Sequence, residues 1–255
     1  MSRRIDAPPG APVWIEISTS DLDASHSFYT RLFGWDLEPF VPEAHGYRNF
    51  LHDGGLIAGS MLKPAQQPGP DCWLMYLASD DCAATVAAAE AAGAQILVPV
   101  EKIFDLGEMA FLMAPDESVV GVWQPALHRG FSHIDEPGAP CWFELQTHDY
   151  DGALDFYRTV FGWTTEAMND SAEFRYSRVV DGGTQLAGVL DASDRLPAEV
   201  PSHWEIYFEV SDMDAASTKV AELGGQSIAA PHDSPFGRLG LFVDSTGAVF
   251  RLMER

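Results

Sequence analysis

The 255-residue sequence predicts an α+β fold of four βαβββ units in two tandem modules, each module a curled mixed sheet. Three observations predict it. The stretch APVWIEISTSDLDASHSFYTRLFGW, starting at Ala11, returns from Ala139 as APCWFELQTHDYDGALDFYRTVFGW, identical at 12 of 25 positions. The match then continues: Asp53-Gly54-Gly55 recurs as Asp181-Gly182-Gly183, Ile57-Ala58-Gly59 as Leu186-Ala187-Gly188, and Trp73-x-x-Tyr76 as Trp204-x-x-Tyr207. Within each copy, short β-branched and aromatic runs alternate with apolar residues at helical spacing. Residues 11–125 and 139–255 are therefore expected to be two copies of one module, joined by a linker over 126–138.

The elements follow in order. Trp14-Ile15-Glu16-Ile17 reads as a strand, and Asp21 or Asp23 is placed to cap the next helix, whose apolar residues Leu22, Phe28, Tyr29, Leu32 and Phe33 share one face. Gly34 marks its end. Residues 35–40, 47–52 and 56–62 read as three strands, with Asp53-Gly54-Gly55 turning between the last two. The second unit repeats the order: a strand over 73–78, the alanine-rich helix CAATVAAAEAAG closed by Gly93, and strands over 95–100, 109–113 and 119–123. Two Pro-containing loops, LKPAQQPGPDCW and LDASDRLPAEVPSHW, join the units and are expected to flap over a cleft.

Composition excludes several functions. A formal charge of −23, from 38 acidic and 15 basic residues, repels phosphate backbones, so nucleic acid is not an expected partner. The apolar stretches are too short and interrupted to span a membrane, and the basic start MSRRIDAPPGAP has no apolar run behind it. Cys72, Cys82 and Cys141 form no metal-type pair and no even disulfide framework, which suits a reducing compartment; a cytoplasmic location is expected.

Asp21, Phe28-Tyr29 and Phe33-Gly34-Trp35, their copies Asp149, Phe156-Tyr157 and Phe161-Gly162-Trp163, and the ending Asp244-Ser245-Thr246-Gly247-Ala248-Val249-Phe250 together resemble the vicinal oxygen chelate superfamily. That superfamily includes glyoxalase I, bleomycin-resistance proteins and extradiol dioxygenases. The Trp-x-Glu strand in both halves narrows the resemblance to two-module actinobacterial glyoxalase-like proteins. The resemblance implies tandem glyoxalase-like modules whose concave face holds a small molecule, with a monomer acting as an internal pseudo-dimer or a homodimer completing the cleft.

It also implies a metal. Chelating relatives present a ligand from the first strand of a unit, one from the matching strand of the next, and a carboxylate near the module's end. Those three positions fall here on Trp14, Leu74 and Gly121 in the first module and on Trp142, Glu205 and Arg251 in the second. Only Glu205 can coordinate, and a single carboxylate does not hold a catalytic ion. A shift of two residues along the first strand keeps the same face and brings in Glu16 and Glu144. Each is read as a buried structural acceptor at the module interface, as a solvent-facing strand residue, or, if buried, as a general base with a raised pKa. His148 and His203 are candidate metal ligands beside Glu205, suited to Zn, Ni, Mn or Fe. Trp14, Trp73, Trp142 and Trp204, with Tyr76 and Tyr207, are candidate ligand-binding aromatics or core. The expected function is binding of a small organic metabolite or antibiotic in an aromatic-lined cleft without the usual metal. The alternative is a divalent-metal lyase, isomerase or dioxygenase.

Overall fold

The computed structural model of the protein describes residues 7–42, 46–65, 69–171 and 173–255. In the first module the chain runs β1 (Pro12–Thr19), α1 (Leu22–Phe33), β2 (Asp36–Leu37), β3 (Arg48–His52), β4 (Gly55–Leu62), β5 (Cys72–Ala78), α2 (Cys82–Ala91), β6 (Gln95–Ile103), β7 (Gly107–Met113) and β8 (Val119–Pro125). The second module repeats the order with β9 (Pro140–Thr147), α3 (Tyr150–Phe161), β10 (Thr164–Ser171), β11 (Phe174–Asp181), β12 (Thr184–Asp191), β13 (His203–Glu209), α4 (Met213–Glu222), β14 (Gln226–Ser234), β15 (Gly237–Val243) and β16 (Val249–Glu254). Each module is one eight-stranded mixed sheet, with strand order β2-β3-β4-β1-β5-β8-β7-β6 and its counterpart β10-β11-β12-β9-β13-β16-β15-β14.

Local chemistry sets the helix ends. An aspartate caps each of α1 to α4: Asp21, Asp81, Asp149 and Asp212 accept the backbone N–H three residues on. Gly34 and Gly162 close α1 and α3 in the left-handed conformation, at φ 73° and 69°. The strand expected over residues 35–40 is only the two-residue β2, since the prolines at 39 and 42 cannot donate to a ladder. Of the two loops expected as flaps, the first includes residues 66–68, which lie outside the described residues.

The modules lean on each other through their first helices. Phe33 packs on Phe208 with ring centroids 5.0 Å apart, and Tyr29 lies 5.9 Å from Phe250 while its hydroxyl donates to Asp244 Oδ2 at 2.8 Å. Asp244 also accepts the N–H groups of Thr246 and Ala248, so the glycine-containing turn near the chain's end is organised around a carboxylate that receives the other module's tyrosine. The Phe-Gly-Trp repeat has the same purpose. Trp35 Nε1 donates to the Gly138 carbonyl at 2.7 Å, and Trp163 Nε1 donates to the Gly10 carbonyl at 2.7 Å. These reciprocal contacts join one apolar core that runs through both modules.

Candidate functional site

Strand register separates the aromatics predicted to bind ligand into two sets. Trp73 pairs with Ile17 on the helix-covered face, and its indole donates to Tyr29 of α1 at 2.9 Å. Trp204 likewise donates to Tyr157 of α3 at 3.1 Å. Both belong to the core between sheet and helix, which is where their bulk is needed. Trp14 pairs with Tyr76, and Trp142 with Tyr207, on the opposite face of each sheet, here called the inner face.

The two residues suggested by a two-residue shift lie on that inner face. Glu16 stands beside Gly59 and opposite Leu74; Glu144 stands beside Gly188 and directly opposite Glu205. A tyrosine from the neighbouring strand region reaches over each glycine. A Cβ on Gly59 would lie 2.0 Å from the Tyr47 hydroxyl, and one on Gly188 would lie 1.9 Å from that of Tyr176, so only glycine leaves room. In both modules the tryptophan indole holds this hydroxyl: Trp14 donates to Tyr47 at 3.0 Å, and Trp142 to Tyr176 at 3.1 Å. Each carboxyl group is thus flanked by two tyrosines, Tyr47 and Tyr76 in the first module and Tyr176 and Tyr207 in the second. Tyr47 and Tyr176 were not among the predicted residues. Their spacing of 129 is the same as that between Gly59 and Gly188, and that was the available signal.

From this shared frame the two modules diverge. In the first, the inner face is filled with rings. His128 of the linker packs edge-on against Trp14 at 4.4 Å and lies 5.4 Å from Trp123, Phe111 packs on Tyr76 at 4.9 Å, and Trp14 is 3% exposed. Burial is the dominant influence on Glu16 and pushes its carboxyl up to about 7, against the hydrogen bonds of Tyr76 and Tyr47. Burial also holds the His128 imidazole down at about 4.

In the second module, charge replaces the rings. Arg251 occupies the register position of Gly121, beside Tyr207, and its Nε donates to Glu205 Oε2. Its guanidinium lies 5.3 Å from the Tyr207 ring centroid. Gln146 Nε2 donates both to Glu144 Oε1 at 2.5 Å and to Glu205 Oε2 at 2.9 Å, and the Tyr207 hydroxyl donates to Glu144 Oε1 at 3.0 Å. His203 Nε2 sits 3.8 Å from Glu205 Oε1, an ion-pair rather than a hydrogen-bond distance. The two carboxyl groups are driven apart. Burial, then the charge of Glu205, raises the pKa of Glu144. Burial would also raise Glu205, but His203 and the Arg251 guanidinium outweigh it and hold that carboxyl below its usual range. The two environments thus push neighbouring carboxyls on one surface in opposite directions.

The predicted metal ligands are brought together only in part. Glu205 and His203 are neighbours, whereas His148 points its Nε2 to the Val200 carbonyl at 2.8 Å, away from the inner face. No group of three His, Cys, Asp or Glu side chains among the described residues is arranged to hold a metal ion. The chemistry of the donor set agrees. The oxygens facing the site already accept from Gln146, Tyr207 and Arg251, and a divalent ion there would lie beside a guanidinium charge. These residues do not fit the metal that the resemblance implies.

Relatives and solved structures place the chain. CFP32 of Mycobacterium bovis, which bears a provisional glyoxylase name, is 36% identical over 260 residues, covering 100% of this chain and 98% of its own length. The anthracycline biosynthesis protein DnrV of Streptomyces peucetius is 32% identical over 265 residues, covering 96% of this chain and 94% of its own. Among solved structures, the Mn(II)-bound glyoxalase from Novosphingobium aromaticivorans superposes with a TM-score of 0.67 at 14% identity, over 100% of this chain and 83% of that one. The 2,3-dioxygenase LapB from Pseudomonas sp. KL28 does so with a TM-score of 0.63 at 13% identity, over 98% and 94%. At those identities the structures share the fold alone. No helix among the described residues is long and apolar enough to cross a membrane. With a family model matching residues 11–121 and again 130–252, the chain belongs to the Glyoxalase/Bleomycin resistance protein/Dioxygenase superfamily.

Proposed function

We propose that this protein binds a small organic metabolite or antibiotic on the inner face of its second module, without a chelated metal. The observation that carries this reading is the Glu205–Arg251 ion pair. A cation is already supplied there by the chain itself, at the position where chelating relatives are expected to place a third ligand. A fixed guanidinium polarises a bound carbonyl or neutralises an acidic oxygen, as a metal ion would, but it brings no open coordination position. The relative named for anthracycline biosynthesis supports an organic substrate or ligand of this kind. The two modules of one chain, clasped reciprocally, take the place of the two subunits of a dimer.

The opposite shifts of Glu144 and Glu205 favour a second reading built on the same face. In it, Glu144 transfers a proton to or from a carbonyl compound that Arg251 holds. Glu16, sealed beneath rings in the first module, is its structural counterpart.

Metal analysis of the purified protein, with thermal unfolding in added Zn²⁺, Ni²⁺, Mn²⁺ and Fe²⁺, tests the reading. The expected result is sub-stoichiometric metal and an unmoved midpoint with every ion. Stoichiometric metal that disappears on Glu205→Ala would overturn it in favour of a divalent-metal lyase, isomerase or dioxygenase.

A further inference from the structure

The linker packs its own rings against the first module's Trp14. Trp14 and Trp142 are held in the same way, each indole N–H tied to a tyrosine hydroxyl beside a buried glutamate. Against Trp14 the linker lays the imidazole of His128, edge-on at 4.4 Å, with Phe131 at 5.7 Å behind it. The linker is fixed there: Phe131 N–H donates to the Val13 carbonyl, and the Trp123 indole to the His128 carbonyl. In the second module the positions of Phe111 and Trp123 are taken by Leu241 and Met253, as their pairing with Arg251 and Leu239 shows. Among the described residues no ring meets Trp142 as His128 meets Trp14; Trp142 packs against Cys141, Tyr207 and Met253, and it is half-buried where Trp14 is sealed. Arg251 stands on the same face, beside Tyr207, with about a fifth of its side chain exposed.

The geometry points to a flat aromatic or heteroaromatic ligand carrying an acidic oxygen, its ring against Trp142 where His128 lies against Trp14 and its oxygen paired with Arg251. This rests on the reading above that the inner face of the second module is the binding face, and it names the class of molecule bound there. The ring supplies the contact that the first module makes internally. The acidic oxygen answers a guanidinium that Glu205 alone does not cover, in a chain whose net charge of −23 would otherwise repel an anion. The same charge makes Arg251 the feature that draws an anionic ring to this face rather than to the first module, where the matching residue is Gly121.

The probe is 2-naphthoate, titrated calorimetrically into the full chain beside cyclohexanecarboxylate, which lacks the ring, and 2-naphthylmethylammonium, which reverses the charge. One 2-naphthoate per chain is expected, bound about tenfold or more tighter than either comparator. Trp142→Leu and Arg251→Met should each weaken it by about tenfold. Because either variant could unfold, a second measurement uses the intact site. In 5-fluorotryptophan-labelled protein, the resonance that disappears in Trp142→Phe should be the one that moves most with 2-naphthoate. Equal affinity for 2-naphthoate and cyclohexanecarboxylate, an unmoved Trp142 resonance, or no binding of 2-naphthoate overturns the ring proposal. None of those results puts metal in the protein. Stoichiometric metal instead overturns the metal-free reading, whichever acid binds.

Discussion

Glu144 and Glu205 face each other across adjacent strands, and one side-chain amide, Gln146 Nε2, donates to both. Two carboxylates so placed cannot both be charged without a counter-ion, and Arg251 pairs directly with Glu205 rather than with Glu144. The asymmetry between the pair therefore comes from His203 and Arg251 beside Glu205, and Arg251, which carries a fixed charge, is the natural point of attack.

Arg251→Glu should convert the face into a cluster of three carboxylates. Without added metal the variant is expected to lose about 3 kcal/mol or more of stability, since a buried partner loses its counter-ion and gains a like charge. With millimolar Mn²⁺ or Zn²⁺ its unfolding midpoint should rise, because an ion that binds only the folded chain stabilises it. The wild-type midpoint should stay still under the same additions.

The first module carries two buried titrating groups whose effects oppose each other. Glu16 is raised from 4.5 to about 7, so the folded chain holds its proton longer and stability falls as pH rises between those values. His128 is lowered from 6.5 to about 4, so the unfolded chain takes a proton first and stability rises with pH over that range. Each contributes up to about 3 kcal/mol, and together they largely cancel. Denaturant titrations from pH 4 to 8 should show Glu16→Gln gaining stability with pH and His128→Phe losing it. Parallel profiles for the two variants would count against the burial of both groups.

Gly188→Ala should disable the second-module frame from beneath. The new methyl would meet the Tyr176 hydroxyl at 1.9 Å, and the ring must swing away from both Trp142 and Glu144. A loss of about 1–3 kcal/mol is expected by chemical denaturation. Restoring space with Tyr176→Phe in the same chain should recover part of it.

The clasp between modules can be weighed one hydrogen bond at a time. Trp35→Phe and Trp163→Phe each keep the ring bulk but leave a glycine carbonyl, of Gly138 or Gly10, without its indole donor. Each should cost about 1–3 kcal/mol, and the double variant about the sum, because the two bonds share no partner. A single cooperative transition should persist in each single variant, since the apolar core runs through both modules.

Much of this was legible in the residues. The duplicated Ala-Pro to Phe-Gly-Trp stretch, the aspartate caps and the glycine stops fixed element order, because helix ends and strand runs depend on neighbours within a few residues. The Trp-x-Glu spacing also put Trp14 with Glu16 and Trp142 with Glu144 on shared faces, since side chains alternate along a strand. Register was beyond it. Whether Trp73 and Trp204 turn to the helices or to the inner face depends on which residues pair across strands far apart in sequence, and only the fold decides that. The same is true of Tyr47 and Tyr176 reaching over Gly59 and Gly188, and of the linker returning His128 to Trp14. Two modules with nearly one sequence pattern thus end differently: one inner face is closed by the chain's own rings, the other lined with opposed carboxyls and a guanidinium. Sequence determined the repeated frame because that frame is local, while the tertiary structure decided which inner face is filled with rings because the filling residues come from distant segments.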